Sequence, residues 1–189
     1  TVIGLPILND PTDVEICNAQ PFTIYCINIR CLFAHFAELC FHLEIHKPHV
    51  VMLQETWLNA SIEDVSLPGY NIISRRDRSS LENRGGIISF VRCDVHNVVC
   101  VHESEDAERC WHYVHLDIGS IALCNWYRPG AAGLDPIRSF QSELVKFKDD
   151  VIGYVILGDL NIHHKKWLRF SNDNTQVGAD MIFFFDFHG

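Results

Sequence analysis

Apolar residues in this chain fall mostly into short runs bounded by polar or turn-forming residues, which is the pattern of β-strands. The runs predicted as strands are TIYCIN, VVMLQ, NIISRR, GGIISFVR, HNVVCVH and YVILGD. A longer stretch, CWHYVHLDIGSIALCNWY, predicts a hairpin that turns at Gly119–Ser120. VVMLQ is apolar almost throughout, as expected of a strand that is buried on both faces.

Two segments carry apolar residues at helical spacing instead. In LFAHFAELCFHLEIHK the spacing runs from Leu32 to Leu43, and Pro48 ends the predicted helix. In DPIRSFQSELVKFKDD, Asp135 is the predicted cap and Pro136 takes the first helical position. The apolar face of this second helix comprises Ile137, Phe140, Leu144 and Phe147. Helices mixed with strands predict an α/β layered domain.

The composition indicates one globular domain. The chain has 189 residues, of which 48% are hydrophobic, and no linker or repeat divides it. Residues 1–20 are polar and interrupted by proline, so we expect a poorly ordered lead-in before a domain at 21–189. No apolar run is long enough for a membrane span, and no leader is evident. The eight cysteines contain no C-x-x-C pair, so free thiols in a reducing, intracellular compartment are expected.

The formal net charge of −9 is not the usual electrostatic footprint of a nucleic-acid binder. It does not exclude an enzyme that meets phosphate groups through a metal ion. Local basic patches are present nevertheless. They comprise Arg75, Arg76, Arg78 and Arg84, and later Lys165, Lys166 and Arg169.

Polar side chains follow several of the predicted strands where these end. Asn28, Glu55 and Asp159 each end an apolar run, Asn161 follows closely, and another run leads into Tyr127. If these strands are neighbours, the polar groups converge on one crevice beyond the strand ends. Two carboxylates with amide oxygens suit a hard cation such as Mg²⁺, with Mn²⁺ as a substitute. The alternative is that each residue, taken singly, is a cap or a solvated loop residue.

Four longer segments resemble the endonuclease/exonuclease/phosphatase superfamily, and within it the apurinic-type endonuclease domain of non-LTR retrotransposons. They are LQETWL (53–58), SRRDR…NRGGIISFVR (74–92), WYRPG (126–130) and GDLNIHHKKWL (158–168). The resemblance runs from about Thr23 to the end of the chain. It implies two packed β-sheets flanked by helices, a four-layer α-β-β-α sandwich of the deoxyribonuclease-I-like type, here without its last strands.

The resemblance also implies roles at the matching positions. Glu55 is the metal-binding carboxylate, and Asn28 supports the metal and the phosphate. Tyr127 contacts the scissile phosphate, Asp159 orients or deprotonates the attacking water, and Asn161 helps to bind the phosphate. The implied activity is metal-dependent nicking of DNA, in the nucleus if the chain is part of an active retroelement.

Further residues are weaker candidates for substrate binding. They are His163, His164, Arg128, Arg75 and Arg76. For the two histidines a structural or substrate-positioning role is favoured over that of catalytic base. For the arginines a solvated loop edge is an equal alternative. For the tryptophans, packing in the core or at its rim is favoured over stacking on nucleic-acid bases. Those concerned are Trp57, Trp126 and Trp167.

The family pattern continues, after further strands, to an Asp-His pair that completes the phosphate site. Here the chain ends with Asp186 and His188, which have a different spacing and follow GDLN too closely. We therefore expect residues 1–189 to show little or no nuclease activity. One alternative is an inactive remnant that at most binds nucleic acid or a protein partner. Another is a phospholipid or inositol phosphate substrate, which the WYRPG and HHKKWL segments disfavour.

Overall fold

A computed structural model describes residues 2–4 (backbone only), 21–78, 84–166, 168 and 171–181. Nine strands in this part of the chain form two sheets. Three residues of the predicted lead-in, Val2–Gly4, form the first strand, β1, which pairs antiparallel with the second. Residues 5–20 lie outside the described part of the chain, so the expected domain boundary stays a prediction.

The first sheet has the strand order β1-β2-β3-β5-β4. Its other strands are β2 (Thr23–Asn28), β3 (Val50–Gln54), β4 (Tyr70–Arg76) and β5 (Ile87–Arg92). Only the β2–β3 pair is parallel. The connection between these two strands contains helix α1 (Phe36–His46), because parallel neighbours need a crossover.

The second sheet has the order β6-β7-β8-β9. Its strands are β6 (Val98–Glu103), β7 (Glu108–Leu116), β8 (Gly119–Tyr127) and β9 (Gly153–Asp159). β8 and β9 are parallel and are joined through helix α2 (Asp135–Phe147). The β7–β8 hairpin turns at residues 117–118, two residues before the predicted turn, because Gly119 already pairs with Leu116 in the ladder.

Three apolar layers hold the four structural layers together. α1 packs Leu39 and Leu43 on the outer face of the first sheet, and α2 packs Phe140 on the outer face of the second. Between the sheets lies a third cluster, which includes Ile24, Val50, Met52, Val114 and Leu123. The predicted four-layer α-β-β-α sandwich is therefore confirmed. No helix in the described part of the chain is long and apolar enough to cross a bilayer.

Helix α2 differs from its prediction in two respects. Leu134 is the N-cap residue, and Asp135 is already the first helical residue. The helix buries Glu143, whereas the predicted core residue Leu144 is only half-buried. Glu143 is buried because it pairs with Arg109 of β7, whose side chain is 0% exposed. The apolar pattern alone did not reveal this pair, since Glu143 has the sequence character of a surface residue.

Candidate active site

The strand pairing brings the predicted site residues to one end of both sheets. In the parallel β2–β3 ladder, Asn28 lies opposite Gln54, so Glu55 follows directly beside it. In the parallel β8–β9 ladder, Tyr127 lies opposite Asp159. The carboxyl ends of two parallel pairs, one from each sheet, therefore face the same crevice, as the sequence predicted.

The side chain of Asn28 connects the two sheets at this crevice. Its Nδ2 donates to Oε1 of Glu55 over 2.7 Å and to Oδ2 of Asp159 over 2.7 Å. The two carboxylate oxygens are thus separated by at most twice that distance. The structure brings these three side chains together, while the roles assigned to them stay predictions.

Glu55 lies in a loop whose backbone is held by a glycine pair. Its φ is +52°, an uncommon value for a residue with a side chain. The next two residues are bound to the opposite segment, with Thr56 N donating to Gly86 O (3.2 Å) and Trp57 N to Gly85 O (2.9 Å). A Cβ on Gly86 would lie 2.7 Å from Oγ1 of Thr56. This close approach explains why the NRGG segment accompanies LQETWL.

Gly158 determines how closely β9 approaches β8 just before Asp159. Its φ is +139°, and a Cβ there would lie 1.8 Å from the carbonyl oxygen of Trp126. Only glycine leaves room for that carbonyl. The backbone beyond it is held by Arg128 N, which donates to the Asp159 carbonyl over 2.9 Å. The glycine of the GDLN segment therefore positions the carboxylate that follows it.

Asn161 lies beside Asp159 and is held by backbone contacts. Its own N–H donates to Oδ1 of Asp159 (3.1 Å), and its Nδ2 donates to the carbonyl of Arg128 (2.8 Å). Its φ is +47°. Asn161 thus orients Asp159 from the side opposite Asn28, and its amide nitrogen is committed to the protein backbone.

Tyr127 contacts the same carboxylate cluster from β8. Burial, the negative charge of Glu55 and a hydrogen bond with that carboxylate raise the pKa of Tyr127 to about 12. The phenol is therefore protonated at neutral pH and can donate a hydrogen bond. The guanidinium carbon of Arg78 lies 5.5 Å from the centre of its ring. Arg78 in turn pairs with Glu108, whose other oxygen accepts from Gly86 N (2.6 Å).

The predicted substrate residue Arg128 has a structural position. It is only 2% exposed, and its guanidinium donates to the carbonyls of Leu160, Ala132 and Gly133. These bonds hold the loop after β8 against the segment after β9. These donors are turned into the protein in this structure, and the predicted substrate contact of Arg128 stays a prediction.

The two arginines of β4 also bind the protein itself. Arg75 forms a two-point pair with Asp77, with the shorter contact at 2.7 Å, and donates to the carbonyls of Ile62 and Asn59. Arg76 donates to the carbonyl of Glu105 near the surface. Neither side chain makes a described contact with the cluster of Asn28, Glu55 and Asp159. Arg75 thus lies in a strand and not at a solvated loop edge, and its substrate role stays a prediction.

The two histidines after the GDLN segment lie beside the site, not within it. His163 is exposed, and its backbone is bound to Thr175 (N to Oγ1 3.3 Å, and Thr175 N to O 2.8 Å). His164 is buried, and its Nδ1 accepts from the backbone N–H of Lys166 (3.3 Å). These contacts support their structural alternative.

The tryptophans divide between the site and the core. Trp57 donates from Nε1 to Oε2 of Glu55 over 3.4 Å, so it lies at the site. Trp126 is fully buried and stacks on Phe140 with ring centres 4.7 Å apart. Four residues named in the sequence analysis lie outside the described part of the chain: Trp167, Arg169, Asp186 and His188.

Sequence reasoning missed a buried polar bridge directly behind the site. Nε2 of Gln54 donates to Oδ1 of Asn125 over 2.7 Å, and Nδ2 of Asn125 donates to the carbonyl of Ile88 (3.2 Å) and to Oγ of Ser89 (3.1 Å). Gln54 is 1% exposed and Asn125 is fully buried. We call this contact the Gln54–Asn125 bridge. Its signal in the sequence was one amide within each of two apolar runs.

The residues present fit a hydrated divalent cation better than a metal held by protein ligands alone. The described residues include no group of three or more His, Cys, Asp or Glu side chains arranged around an ion. Mg²⁺ commonly uses one or two carboxylates and keeps several waters. Oδ1 of Asn28 is buried and has no hydrogen-bond partner among the described residues, so a third oxygen is left over. A cleft of about 460 Å³ adjoins Asn28 and Asp159.

Comparisons with protein-family models and with curated protein sequences find no match. Solved structures do match. The endonuclease domain of TRAS1, a telomere-specific non-LTR retrotransposon, has a TM-score of 0.63 at 13% identity over 88% of this chain and 71% of that chain. The AP endonuclease LMAP from Leishmania major has a TM-score of 0.60 at 18% identity over 90% of this chain and 64% of that chain.

The catalytic domain of Xenopus laevis APE2 matches with a TM-score of 0.54 at 16% identity, over 83% of this chain and 63% of that chain. This chain therefore spans less than two thirds of two of these three structures. At such low identities the matches establish the fold alone. The structural neighbours are members of the endonuclease/exonuclease/phosphatase superfamily, and this chain has their fold.

Proposed function

We propose that this chain is a divalent-metal-dependent phosphodiesterase of the retrotransposon endonuclease type, which nicks DNA. The observation that carries the proposal is the convergence of Glu55 and Asp159, from two different sheets, on the amide nitrogen of Asn28. That nitrogen is the donor between the two carboxylates, and the unpartnered Oδ1 of Asn28 supplies a further oxygen for a cation beside them. The neighbouring folds support the substrate class, since they include a 3′ phosphatase from Neisseria bound to a product DNA hairpin.

The geometry supports the following division of work. Glu55 and Asn28 supply oxygen ligands for Mg²⁺ or Mn²⁺, which when bound stabilises negative charge on a phosphate. Asp159 holds and orients the attacking water, because Asn28 and Asn161 fix its carboxylate from two sides. The neutral phenol of Tyr127 exchanges its hydrogen bond with Glu55 for one to a phosphate oxygen. Asn161 acts mainly by orienting Asp159.

The proposal is tested with purified chain on supercoiled plasmid DNA in the presence of Mg²⁺. Nicking by the unaltered chain is expected to be weak, to stop with EDTA, and to fall by at least about 10²-fold in Glu55→Ala and in Asp159→Ala, since cooperating groups in phosphoryl transfer are not independent. Glu44→Ala, which removes an exposed carboxylate on α1, is the matched control and should cut like the unaltered chain. Equal nicking by Asp159→Ala would attribute the activity to a contaminant.

A second candidate is a domain with this fold that binds nucleic acid or a protein partner without cutting. One observation favours it: within the described residues, no histidine contacts Asn28, Glu55 or Asp159. The expectation of weak or absent nicking by residues 1–189 stays a prediction, and the same plasmid assay tests it. Binding of DNA in a gel-shift assay, together with no nicking in the plasmid assay, would favour this second candidate.

A further inference from the structure

The groups of the candidate active site come from two separate sheets. Asn28 and Glu55 follow β2 and β3 of the first sheet, while Tyr127 and Asp159 end β8 and β9 of the second. Their distances therefore depend on how one sheet is placed on the other. Most of the contact between the sheets is apolar. Apolar contact is nondirectional, so it holds the sheets together without defining a single position along the strands.

The Gln54–Asn125 bridge supplies hydrogen bonds, which are directional, between the sheets next to the candidate active site. Gln54 immediately precedes Glu55 and lies opposite Asn28 in the β2–β3 ladder. Asn125 lies two residues before Tyr127, on the same face of β8. In the β8–β9 ladder it is opposite Leu157. The two further bonds of Asn125, to Ile88 and Ser89, attach it to β5 of the opposing sheet. β8 is thus bonded to β3 and to β5 directly behind the site.

We propose that Gln54 and Asn125 are positioning residues, which hold the two sheets in the register that brings Asn28, Glu55 and Asp159 together. Both are too deeply buried to touch a substrate, so any effect they have on the reaction passes through that register. The consequence for activity rests on the proposed function. The consequence for the geometry of the site does not, because it is read from the Asn28–Asp159 hydrogen bond between the sheets and not from the reaction.

The effect of the Gln54–Asn125 bridge on the stability of the fold can be separated from its effect on the register of the two sheets. This is done by replacing both partners. Removing one amide leaves the other buried without a partner, which is costly, whereas apolar groups of similar shape at both positions can be nearly neutral. The double variant Gln54→Met/Asn125→Leu is therefore expected to lower the unfolding midpoint less than either single replacement does. Ser89→Ala is a milder variant, which removes only one anchor of Asn125.

The main measurement is hydrogen exchange of the Asn28 side-chain amide, followed by NMR in ¹⁵N-labelled chain without metal. We expect exchange in the double variant to be faster by about tenfold or more, the size expected when a hydrogen bond to a charged group is lost. Ser89→Ala should also make the exchange of the Asn28 amide faster, but by a smaller factor. The nicking rate of the double variant should fall on the order of 10²-fold, mainly in kcat, as misplaced reacting groups do.

The matched control is another buried polar contact between the sheets, in which Oγ of Ser74 and Nε2 of His112 lie 2.8 Å apart. It joins β4 to β7, away from the site. Ser74→Ala/His112→Leu should leave the exchange of the Asn28 amide unchanged. Unchanged exchange in both the double variant and Ser89→Ala would overturn the inference, and so would an equal change in the control. Lack of nicking by the unaltered chain would count against the proposed function alone, since the NMR result is independent of it.

Discussion

At the scale of single residues, the glycine before Asp159 has a role that no other residue can take. Gly158 combines a left-handed φ of +139° with a carbonyl 1.8 Å from the position of a Cβ. That carbonyl belongs to Trp126 in the neighbouring strand, so backbone and not a flexible side chain would have to move. Any shift of β9 at this point displaces the carboxylate that follows.

We expect Gly158→Ala to destabilise the fold, since the unfavourable φ alone costs on the order of 1–3 kcal/mol and the clash adds to it. Nicking should fall further than the loss of folded protein explains. Gly133→Ala is the matched control, because a Cβ there meets nothing within 4 Å. Chemical denaturation of both variants measures the difference. Equal midpoints would show that the β8–β9 approach is looser than the structure indicates.

At the scale of elements, helix α2 is attached to the second sheet by a buried ion pair in addition to its apolar face. Arg109 donates to Glu143 from Nε (2.7 Å) and Nη2 (2.9 Å), and Ser104 and Trp111 donate to the same carboxylate over 2.6 Å each. Burial alone would raise the pKa of Glu143, but these hydrogen bonds lower it to about 2. The carboxylate therefore stays charged throughout the ordinary pH range.

Glu143→Ala should destabilise the protein by about 3–5 kcal/mol, because it leaves the charge of Arg109 buried and unpaired. Asp135→Ala is the control on the same helix. Its carboxylate is 90% exposed and lies 3.6 Å from Arg138, so its removal should have no measurable effect. Thermal unfolding of the two variants checks this. Similar unfolding temperatures would mean that the apolar face alone attaches the helix.

Much of this element-level structure was predictable from local pattern, and the rest was not. The apolar runs predicted the strands, and their polar ends predicted where Asn28, Glu55 and Asp159 would meet. The burial of the Arg109–Glu143 pair was not predictable, because each member depends on a partner distant in sequence. The burial of Arg128 depends in part on Leu160, which is 32 positions away. Arg109 and Glu143 are 34 positions apart, and Gln54 and Asn125 are 71 apart. Periodicity carries no information on such partners.

At the scale of the whole molecule, a buried histidine makes stability depend on pH. Burial lowers the pKa of His112 to about 4, although a hydrogen bond to the Leu123 carbonyl opposes the shift. The ordinary value is 6.5, so between 6.5 and 4 the unfolded chain binds a proton that the folded chain does not. The stability that this group contributes is complete above pH 6.5 and is lost as the pH falls towards 4.

The free energy of unfolding should therefore fall by up to about 1.4 kcal/mol per pH unit across this window through His112. Ser74→Ala/His112→Leu removes both partners and should give a flatter dependence between pH 6.5 and 4. Urea unfolding at several pH values measures the slope. Equal slopes in the variant and the unaltered chain would assign the dependence to other groups. Glu143 does not contribute to the upper part of this window, because its stabilisation is lost only below its ordinary pKa of 4.5.

The hydrogen bond from Asn28 to Asp159 joins residues 131 positions apart and belongs to both sheets at once. Such distant contacts carry a large loop-closure entropy, so we expect them to form late in folding, after each sheet has assembled its own strands. A chain in which only one sheet has formed has half of the candidate site residues. It therefore cannot place both carboxylates around one ion. An ion held by Glu55 and Asp159 would therefore act after the main folding barrier, and would slow the unfolding of the finished molecule without speeding its formation.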